Sequence, residues 1–239
     1  MMQLTVLGRN GPFPPPDGAT SGYLVRSGED AVQLDLGSGT LQALTKRMAP
    51  EDLTALVFSH WHHDHCSDAL PLLYRLQAAG AVLDVFGPAD DGSPVRQALR
   101  NDPGVRLHDI APGDSLRLGG FCLDVFAARH PVPSVMLRLR DRERTLCYTG
   151  DTNTVDGLRA FAEGCDLLLA DGLFPEAAWT EARPHLSAAL CAELARDAGA
   201  RRLVITHLNP FFDPQTLLRE ARRAYPAVEL AEEGRTWTF

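Results

Sequence analysis

The sequence has almost no lysine. One lysine, Lys46, stands beside 22 arginines, and 31 acidic residues outnumber 23 basic ones, which gives a formal net charge of −8. A long polyanion would meet a repulsive average surface, so we expect no long nucleic acid as a partner.

Paired cysteines and long apolar runs are also missing. The five cysteines form no C-x-x-C pair, and their odd number argues against a disulfide framework or a zinc ribbon. No uninterrupted apolar stretch reaches the roughly 18 to 20 residues that a membrane span needs. The first residues, MMQLTVLGRN, show no basic leader before an apolar run. We therefore expect a cytoplasmic protein with no membrane partner.

Histidine, in contrast, is concentrated in one place. Four of the eight histidines lie within the segment VFSHWHHDHCSD, residues 57–68. His60 and His62 are two positions apart, so an extended backbone projects both to one side, and Asp64 and His65 follow. The histidine cluster, 60–65, comes directly after the apolar run ALVFS, at the end of a predicted strand, where α/β folds commonly bind ligands. The pattern predicts the floor of a two-metal site.

Three more side chains of the metal-binding type stand at the ends of distant apolar runs. His130 ends CLDVFAARH, Asp151 ends TLCYTGD, and His207 ends RLVITH. Imidazole and carboxylate ligands suit Zn²⁺ best, and the absence of thiolate ligands leaves Mn²⁺ as an alternative. We therefore expect two divalent metal ions, with zinc favoured.

Strand and helix signals alternate along the whole chain. Helices are predicted at 38–48 with Ser38 as N-cap, 67–79, 94–101, 154–162, 187–198 and 214–224, and a last strand is predicted near 228–238. Strands with crossover helices in two halves, about 1–130 and 131–239, indicate two mixed sheets packed face to face with helices outside. We expect one domain, 1–239, with the fold of a four-layer α/β/β/α sandwich.

The order of these motifs resembles the metallo-β-lactamase superfamily, from LDLGSG at 34–39 to THL at 206–208. The resemblance implies one metal on His60, His62 and His130 and a second metal on Asp64, His65 and His207. It also implies that Asp151 and a hydroxide bridge the two metals, and that this hydroxide attacks the substrate. Asp35 matches an aspartate that supports the ligand loop in that family.

The segment RPHLSAALCAELARDAGARRLVITHL is similar to the ribonuclease Z and small phosphodiesterase branch of that superfamily. The histidine of that branch that matches His185 contacts the scissile phosphate and helps the leaving oxygen take a proton. His185 also lies just before a predicted helix N-terminus, which favours an anion. Asp171 stands where the branch has a glutamate that orients this histidine, so a shorter side chain must reach the same ring.

The Gly- and Pro-rich segment 8–24 resembles the first loop of the same branch, and its backbone is expected to border the substrate. Phe13, Phe211 and Phe212 are candidate walls for a base or another flat group.

Ribonuclease Z carries a long basic arm between the H-x-H-x-D-H motif and the next histidine ligand. Only 64 residues separate His65 from His130, and helix and strand signals use them fully. We therefore expect a phosphodiesterase of small anionic substrates, namely cyclic nucleotides, nucleotide esters or short oligonucleotides, in which Asp64 holds the attacking hydroxide. The alternatives are a carboxyl-ester, lactone or thioester hydrolase and a non-catalytic metal- or nucleotide-binding module. A homodimer is also expected, with RTWTF at 235–239 as a candidate contributor.

Overall fold

The computed structural model describes all 239 residues, which form two seven-stranded sheets. From edge to edge, the first sheet contains β14 (Thr236–Thr238), β1 (Met2–Gly8), β2 (Gly22–Ser27), β3 (Asp30–Leu36), β4 (Ala55–Val57), β5 (Leu83–Pro88) and β6 (Val105–Ile110). The second sheet contains β13 (Glu229–Leu230), β12 (Leu203–Thr206), β11 (Leu167–Asp171), β10 (Thr145–Tyr148), β9 (Val135–Arg140), β8 (Phe121–Ala127) and β7 (Ser115–Leu118).

Seven α-helices cover the outer faces of the sheets. They are α1 (Thr40–Thr45), α2 (His63–Cys66), α3 (Ala69–Ala79), α4 (Pro94–Asn101), α5 (Leu158–Ala162), α6 (Ala188–Asp197) and α7 (Pro214–Ala221). Two short 3₁₀ helices occupy Pro50–Asp52 and Glu176–Ala178. No helix has both the length and the apolar character that crossing a membrane requires.

The inner faces of the two sheets form the central core. Along β8 the inward residues Phe121, Leu123 and Val125 are buried and alternate with partly exposed ones, as a strand with one covered face requires. A second apolar cluster lies under α5, α6 and α7, and a third lies under α1, α3 and α4. The predicted four-layer α/β/β/α sandwich is therefore confirmed.

Both sheets combine antiparallel and parallel strands. Strands β3 to β6 pair in parallel in the first sheet, and β10 to β13 do so in the second. Parallel strands bring their carboxyl ends to one edge of a sheet. The segments that follow β4, β10 and β12 therefore meet at one rim of the sandwich.

The boundary between the sheets differs from the expected halves, 1–130 and 131–239. Strands β7 and β8, residues 115–127, already belong to the second sheet. The strand predicted near 228–238 is divided into β13 and β14, which lie in different sheets. Gly234, with a φ of 82°, turns the chain between them and donates its N–H to Val6 O at 2.8 Å. Trp237 of β14 is buried in the central core, so this side chain has no free surface to offer to a second subunit.

Two of the helices that begin later than predicted start directly after a glycine. The helix expected at 38–48 begins at Thr40, because Gly39 adopts a φ of 86° and acts as the N-cap in place of Ser38, and it already ends at Thr45. Likewise the helix expected at 154–162 is only α5, since Gly157 turns the chain with a φ of 85° directly before it. Left-handed backbone cannot continue a right-handed helix, so each glycine fixes where its helix starts.

Candidate metal centre

Three histidines converge at one end of the rim. His60 and His62 lie in the extended stretch between β4 and α2, and His130 follows β8. His62 Nδ1 lies 3.1 Å from His60 Nε2 and 3.1 Å from His130 Nε2. Asp151 Oδ2 lies 3.6 Å from His60 Nε2, which completes a group whose donor atoms all lie within 4.8 Å of one another. Three nitrogens and one oxygen are a donor set of the zinc type.

A second group of donors lies beside the first. Asp64 and His65 belong to the short helix α2, and His207 follows β12. His65 Nε2 lies 3.6 Å from Asp64 Oδ2 and 3.2 Å from Asp151 Oδ1. His207 Nε2 lies 3.4 Å from Asp151 Oδ2. Asp151 therefore stands between the two groups and belongs to both.

The donor atoms themselves indicate that cations fit here. Four of them are buried and have no hydrogen-bond partner, namely Asp64 Oδ2, His65 Nε2, Asp151 Oδ1 and His207 Nε2. Buried polar atoms in proteins almost always have a partner, and leaving one without a partner costs free energy. All four atoms belong to the second group, and a divalent cation would satisfy them together.

Protonation favours the same interpretation for four of the five ligand histidines, whereas nearby carboxylates raise the pKa of the fifth, His65, against the effect of its burial. Burial lowers the pKa of His60, His62 and His207, and it lowers the pKa of His130 to about 4. These rings are consequently neutral at pH 7, which is the form that binds a metal. Burial raises the pKa of Asp64 to about 6, although His65 opposes that shift.

Asp35, near the end of β3, accepts four hydrogen bonds, three of which come from the ligand loop. Its Oδ1 accepts from Ser59 N at 2.7 Å, and its Oδ2 accepts from Ser59 Oγ and from His65 Nδ1, both at 2.8 Å. Tyr148 donates its hydroxyl to the same Oδ2 at 2.6 Å. The bond to His65 Nδ1 leaves Nε2 of that ring to face the centre.

Other rings are oriented by groups that the sequence analysis did not single out. Ser21 Oγ lies 3.1 Å from His207 Nδ1, and Ser59 Oγ lies 3.1 Å from His60 Nδ1. His130 Nδ1 donates to Pro184 O at 3.2 Å. Each contact holds Nδ1 and turns Nε2 toward the centre. A single serine in a loop carries no sequence pattern, although Ser59 does directly precede the histidine cluster.

His185 and Asp171 lie against the second group. His185 Nδ1 is 2.7 Å from Asp171 Oδ2 and 3.8 Å from Asp151 Oδ2, and its ring stacks on His207 at 5.1 Å between centroids. Burial alone would lower the pKa of His185, but Asp171 and Asp151 raise it to about 9. Burial raises the pKa of Asp171 to about 6, against the effect of His185. At pH 7 the two side chains therefore form an ion pair.

The helix that follows His185 is capped in the predicted way. Ser187 is the N-cap of α6 and accepts a hydrogen bond from Leu190 N at 3.2 Å. His185 thus stands two residues before the N-cap of a ten-residue helix, whose dipole favours negative charge near its N-terminus.

Two further histidines and one cysteine lie outside the two groups of donors. His63 is exposed to solvent. Cys66 is buried and donates its thiol to Trp61 O at 3.4 Å, and burial raises its pKa. His108 lies on the surface strand β6, where its Nε2 is 2.8 Å from Asp84 Oδ1.

Comparison with known proteins agrees with this geometry. Residues 17–208 match the β-lactamase superfamily domain. The chain belongs to the β-lactamase superfamily. The probable metallo-hydrolase YhfI of Bacillus subtilis (strain 168) is 31% identical over 245 residues, which cover 99% of each chain. The crystal structure of the metallo-β-lactamase fold protein YhfI superposes with a TM-score of 0.93, covering 99% of this chain and 98% of that one.

Two further proteins are similar along nearly their full length. A ribonuclease Z of Methanopyrus kandleri is 27% identical over 264 residues, which cover 95% of this chain and 94% of that protein. The short form of human tRNase Z superposes with a TM-score of 0.81 at 21% identity, covering 99% and 98% of the two chains. At 21% identity, the similarity to human tRNase Z shows a common fold and nothing more.

Substitution of Gly11 tests how tightly the candidate metal centre is packed around His207. A Cβ atom at this position would lie 2.0 Å from His207 Cε1 and 2.2 Å from His207 Nε2. We expect Gly11→Ala to displace the ring and to weaken retention of one metal by at least about tenfold, as loss of a supporting contact does at metal sites. Metal content after dialysis against a chelator measures this.

Gly28→Ala is the matched control for Gly11→Ala. Gly28 has a φ of 61°, and a Cβ atom added there would meet no other atom within 4 Å, so its substitution strains only the local backbone. It should cost about 1 kcal/mol of stability and leave metal retention unchanged. Equal metal content in the two variants would contradict the packing argument.

Proposed function

We propose that this protein is a metallo-hydrolase that cleaves small phosphodiesters. The observation that carries the proposal is the 2.7 Å contact between His185 Nδ1 and Asp171 Oδ2 beside the two ligand groups. Hydrolysis of a phosphodiester needs a nucleophile, positive charge near the phosphoryl oxygens, and a proton for the leaving oxygen. Metals held by the ligand groups would serve the first two needs, and His185 would serve the third.

The donor groups fit two divalent ions. His60, His62 and His130 would hold one, Asp64, His65 and His207 would hold the other, and Asp151 would belong to both. When bound, such ions supply Lewis acidity and a nucleophile at neutral pH by lowering the pKa of coordinated water to about 7. Because only Asp64 and Asp151 bring negative charge to the donor set, the loaded site stays positive and favours an anionic substrate.

His185 is placed to act as the general acid. Asp171 accepts a hydrogen bond from His185 Nδ1, so the second proton of the ring is on Nε2. A protonated imidazole next to the departing alkoxide can donate that proton in the transition state. Asp171, 1% exposed, holds the ring in this tautomer, and its shorter side chain reaches the ring at 2.7 Å.

Asp64 is placed on the side of the nucleophile. Its Oδ2 has no hydrogen-bond partner and lies 3.6 Å from His65 Nε2 and 3.8 Å from His207 Nε2. That oxygen would bind a metal, so we infer that the second carboxylate oxygen of Asp64, Oδ1, orients the attacking water and accepts its proton. In this proposal Asp64 is the general base and His185 is the general acid.

The size of the substrate follows from what surrounds the site. Every stretch between His65 and His130 is built into the sandwich as α3, β5, α4, β6, β7 and β8, or as their short connections. No segment projects as an arm, and the acidic chain does not attract a long polyanion. Cyclic nucleotides, nucleotide esters and short oligonucleotides are therefore favoured over folded RNA. We expect the enzyme to act in the cytoplasm.

A substrate panel tests the proposal. The protein, loaded with zinc and separately with manganese, should hydrolyse bis-p-nitrophenyl phosphate and at least one nucleotide phosphodiester. Turnover of p-nitrophenyl acetate and of simple lactones should be far lower. The reverse order of activity would indicate the ester or lactone hydrolase instead, and two bound metals without turnover of any substrate would indicate a binding module.

A further inference from the structure

One large aromatic side chain remains exposed beside the metal centre. Phe211 is 82% exposed, yet its ring lies 4.8 Å from the half-buried ring of Phe13, measured between centroids, at an angle of 58°. Apolar surface of this size in water is unfavourable, and contiguous exposed apolar groups often mark binding sites. We call these two side chains the aromatic shelf.

Backbone hydrogen bonds join the two loops that carry the shelf. Leu208 N donates to Arg9 O at 2.8 Å, and Gly11 N donates to Leu208 O at 3.2 Å. Within the second loop, Phe211 N donates to the side chain of Asn209 at 2.9 Å. These bonds place the backbone that carries both rings beside His207.

The same loops connect the shelf to the reacting groups. Gly11 packs directly on the His207 ring, two residues before Phe13. Phe212, next to Phe211, lies 6.0 Å from the ring of Phe174, which lies 5.9 Å from the ring of His185. A ligand whose phosphate rests beside His185 and His207 thus has the shelf within reach of its uncharged part.

We propose that the aromatic shelf stacks the nucleobase of a nucleotide phosphodiester, an inference that rests on the function proposed above. The shelf offers π faces and no charged group, so it suits a flat uncharged ring and not a phosphate. Stacking on an aromatic side chain tolerates any base, because every base has a π face. The shelf therefore selects nucleotides over simple alkyl phosphodiesters without selecting one base.

Binding of adenosine 5′-monophosphate and of ribose 5-phosphate to the zinc-loaded protein separates the base from the phosphate. The two ligands share the sugar and the phosphate and differ in the base. By calorimetry we expect the wild-type protein to bind the nucleotide about tenfold more tightly, since stacking contributes on the order of 1–3 kcal/mol per base. Phe211→Ala and Phe13→Ala should each remove most of that preference and leave the affinity for ribose 5-phosphate unchanged.

Three control variants test whether the preference for the nucleotide depends on the aromatic rings of the shelf. Phe211→Trp keeps a π face and should keep the preference. Tyr74→Ala, at a position 76% exposed on α3, should have no effect. Val132→Ala changes the cavity of about 520 Å³ beside His130 and should also have none.

Two outcomes would overturn the proposal. One is an equal affinity of the wild-type protein for both ligands. The other is a preference for the nucleotide that persists in both Phe211→Ala and Phe13→Ala. Loss of the preference in Val132→Ala instead would have the same meaning, because the base would then bind in the cavity beside His130. Because binding is measured without turnover, a protein that prefers the nucleotide but hydrolyses no phosphodiester would refute the proposed activity and leave the shelf intact.

Discussion

Asp151→Ala should remove both metals from the purified protein and reduce phosphodiester turnover by at least about 10³-fold. The reason is the position of this carboxylate between the two groups of donors. Its Oδ1 lies 3.2 Å from His65 Nε2, and its Oδ2 lies 3.6 Å from His60 Nε2 and 3.4 Å from His207 Nε2. No other side chain belongs to both groups that would hold the metals.

Metal content and initial rates on bis-p-nitrophenyl phosphate measure this loss. Asp156→Ala is the matched control, because Asp156 is an exposed aspartate in the same loop, five residues further on. It should keep two metals per chain and full activity. Circular dichroism shows whether each variant is folded. An Asp151→Ala protein that retains two metals would refute the shared position of the carboxylate.

His185→Ala should lower kcat for phosphodiesters by about 10²- to 10⁴-fold, the usual contribution of a general acid, while both metals stay bound. The loss should be largest for substrates with alkyl leaving groups, such as cyclic nucleotides. It should be smaller for bis-p-nitrophenyl phosphate, because p-nitrophenolate leaves without needing a proton. Asp171→Asn should reduce the rates in the same direction but less, since His185 keeps its place with a weaker orienting partner.

The leaving-group dependence distinguishes proton donation from a structural role of His185. His108→Ala is the control, as His108 is a surface histidine that pairs with Asp84. Its variant should match the wild-type protein on every substrate. If His185→Ala lowered all rates by one common factor, or lost its metals, the role of general acid would be wrong.

The sequence predicted the sandwich and the convergence of its strand ends for a physical reason. Apolar runs that end in His130, Asp151 and His207 have to be buried strands, and parallel strands bring their ends to one rim. Local spacing also placed His60 and His62 on one side of an extended segment. These features depend on short-range pattern and on rules of sheet topology.

Long-range contacts could not be predicted in the same way. Tyr148 reaches Asp35 across 113 positions, and Ser21 reaches His207 across 186. Which serine or tyrosine comes to lie behind a ligand depends on the register between the two sheets, and single polar residues carry no signal of that register. The division of the last predicted strand between two sheets depends on Gly234 for a similar reason.

The reach of Asp171 shows the same limit on a smaller scale. The sequence indicated that a shorter side chain had to replace a glutamate, but side-chain length alone does not fix a distance. In the folded chain the carboxylate stands 2.7 Å from His185 Nδ1, because β11 carries Asp171 directly to the ring.

Anomalous scattering from a crystal of the zinc-loaded protein, recorded above and below the zinc absorption edge, tests the central claim most directly. The account predicts two peaks per chain, one among His60, His62 and His130 and one among Asp64, His65 and His207, with Asp151 beside both. A single peak, or a peak held by Asp171 and His185, would contradict it.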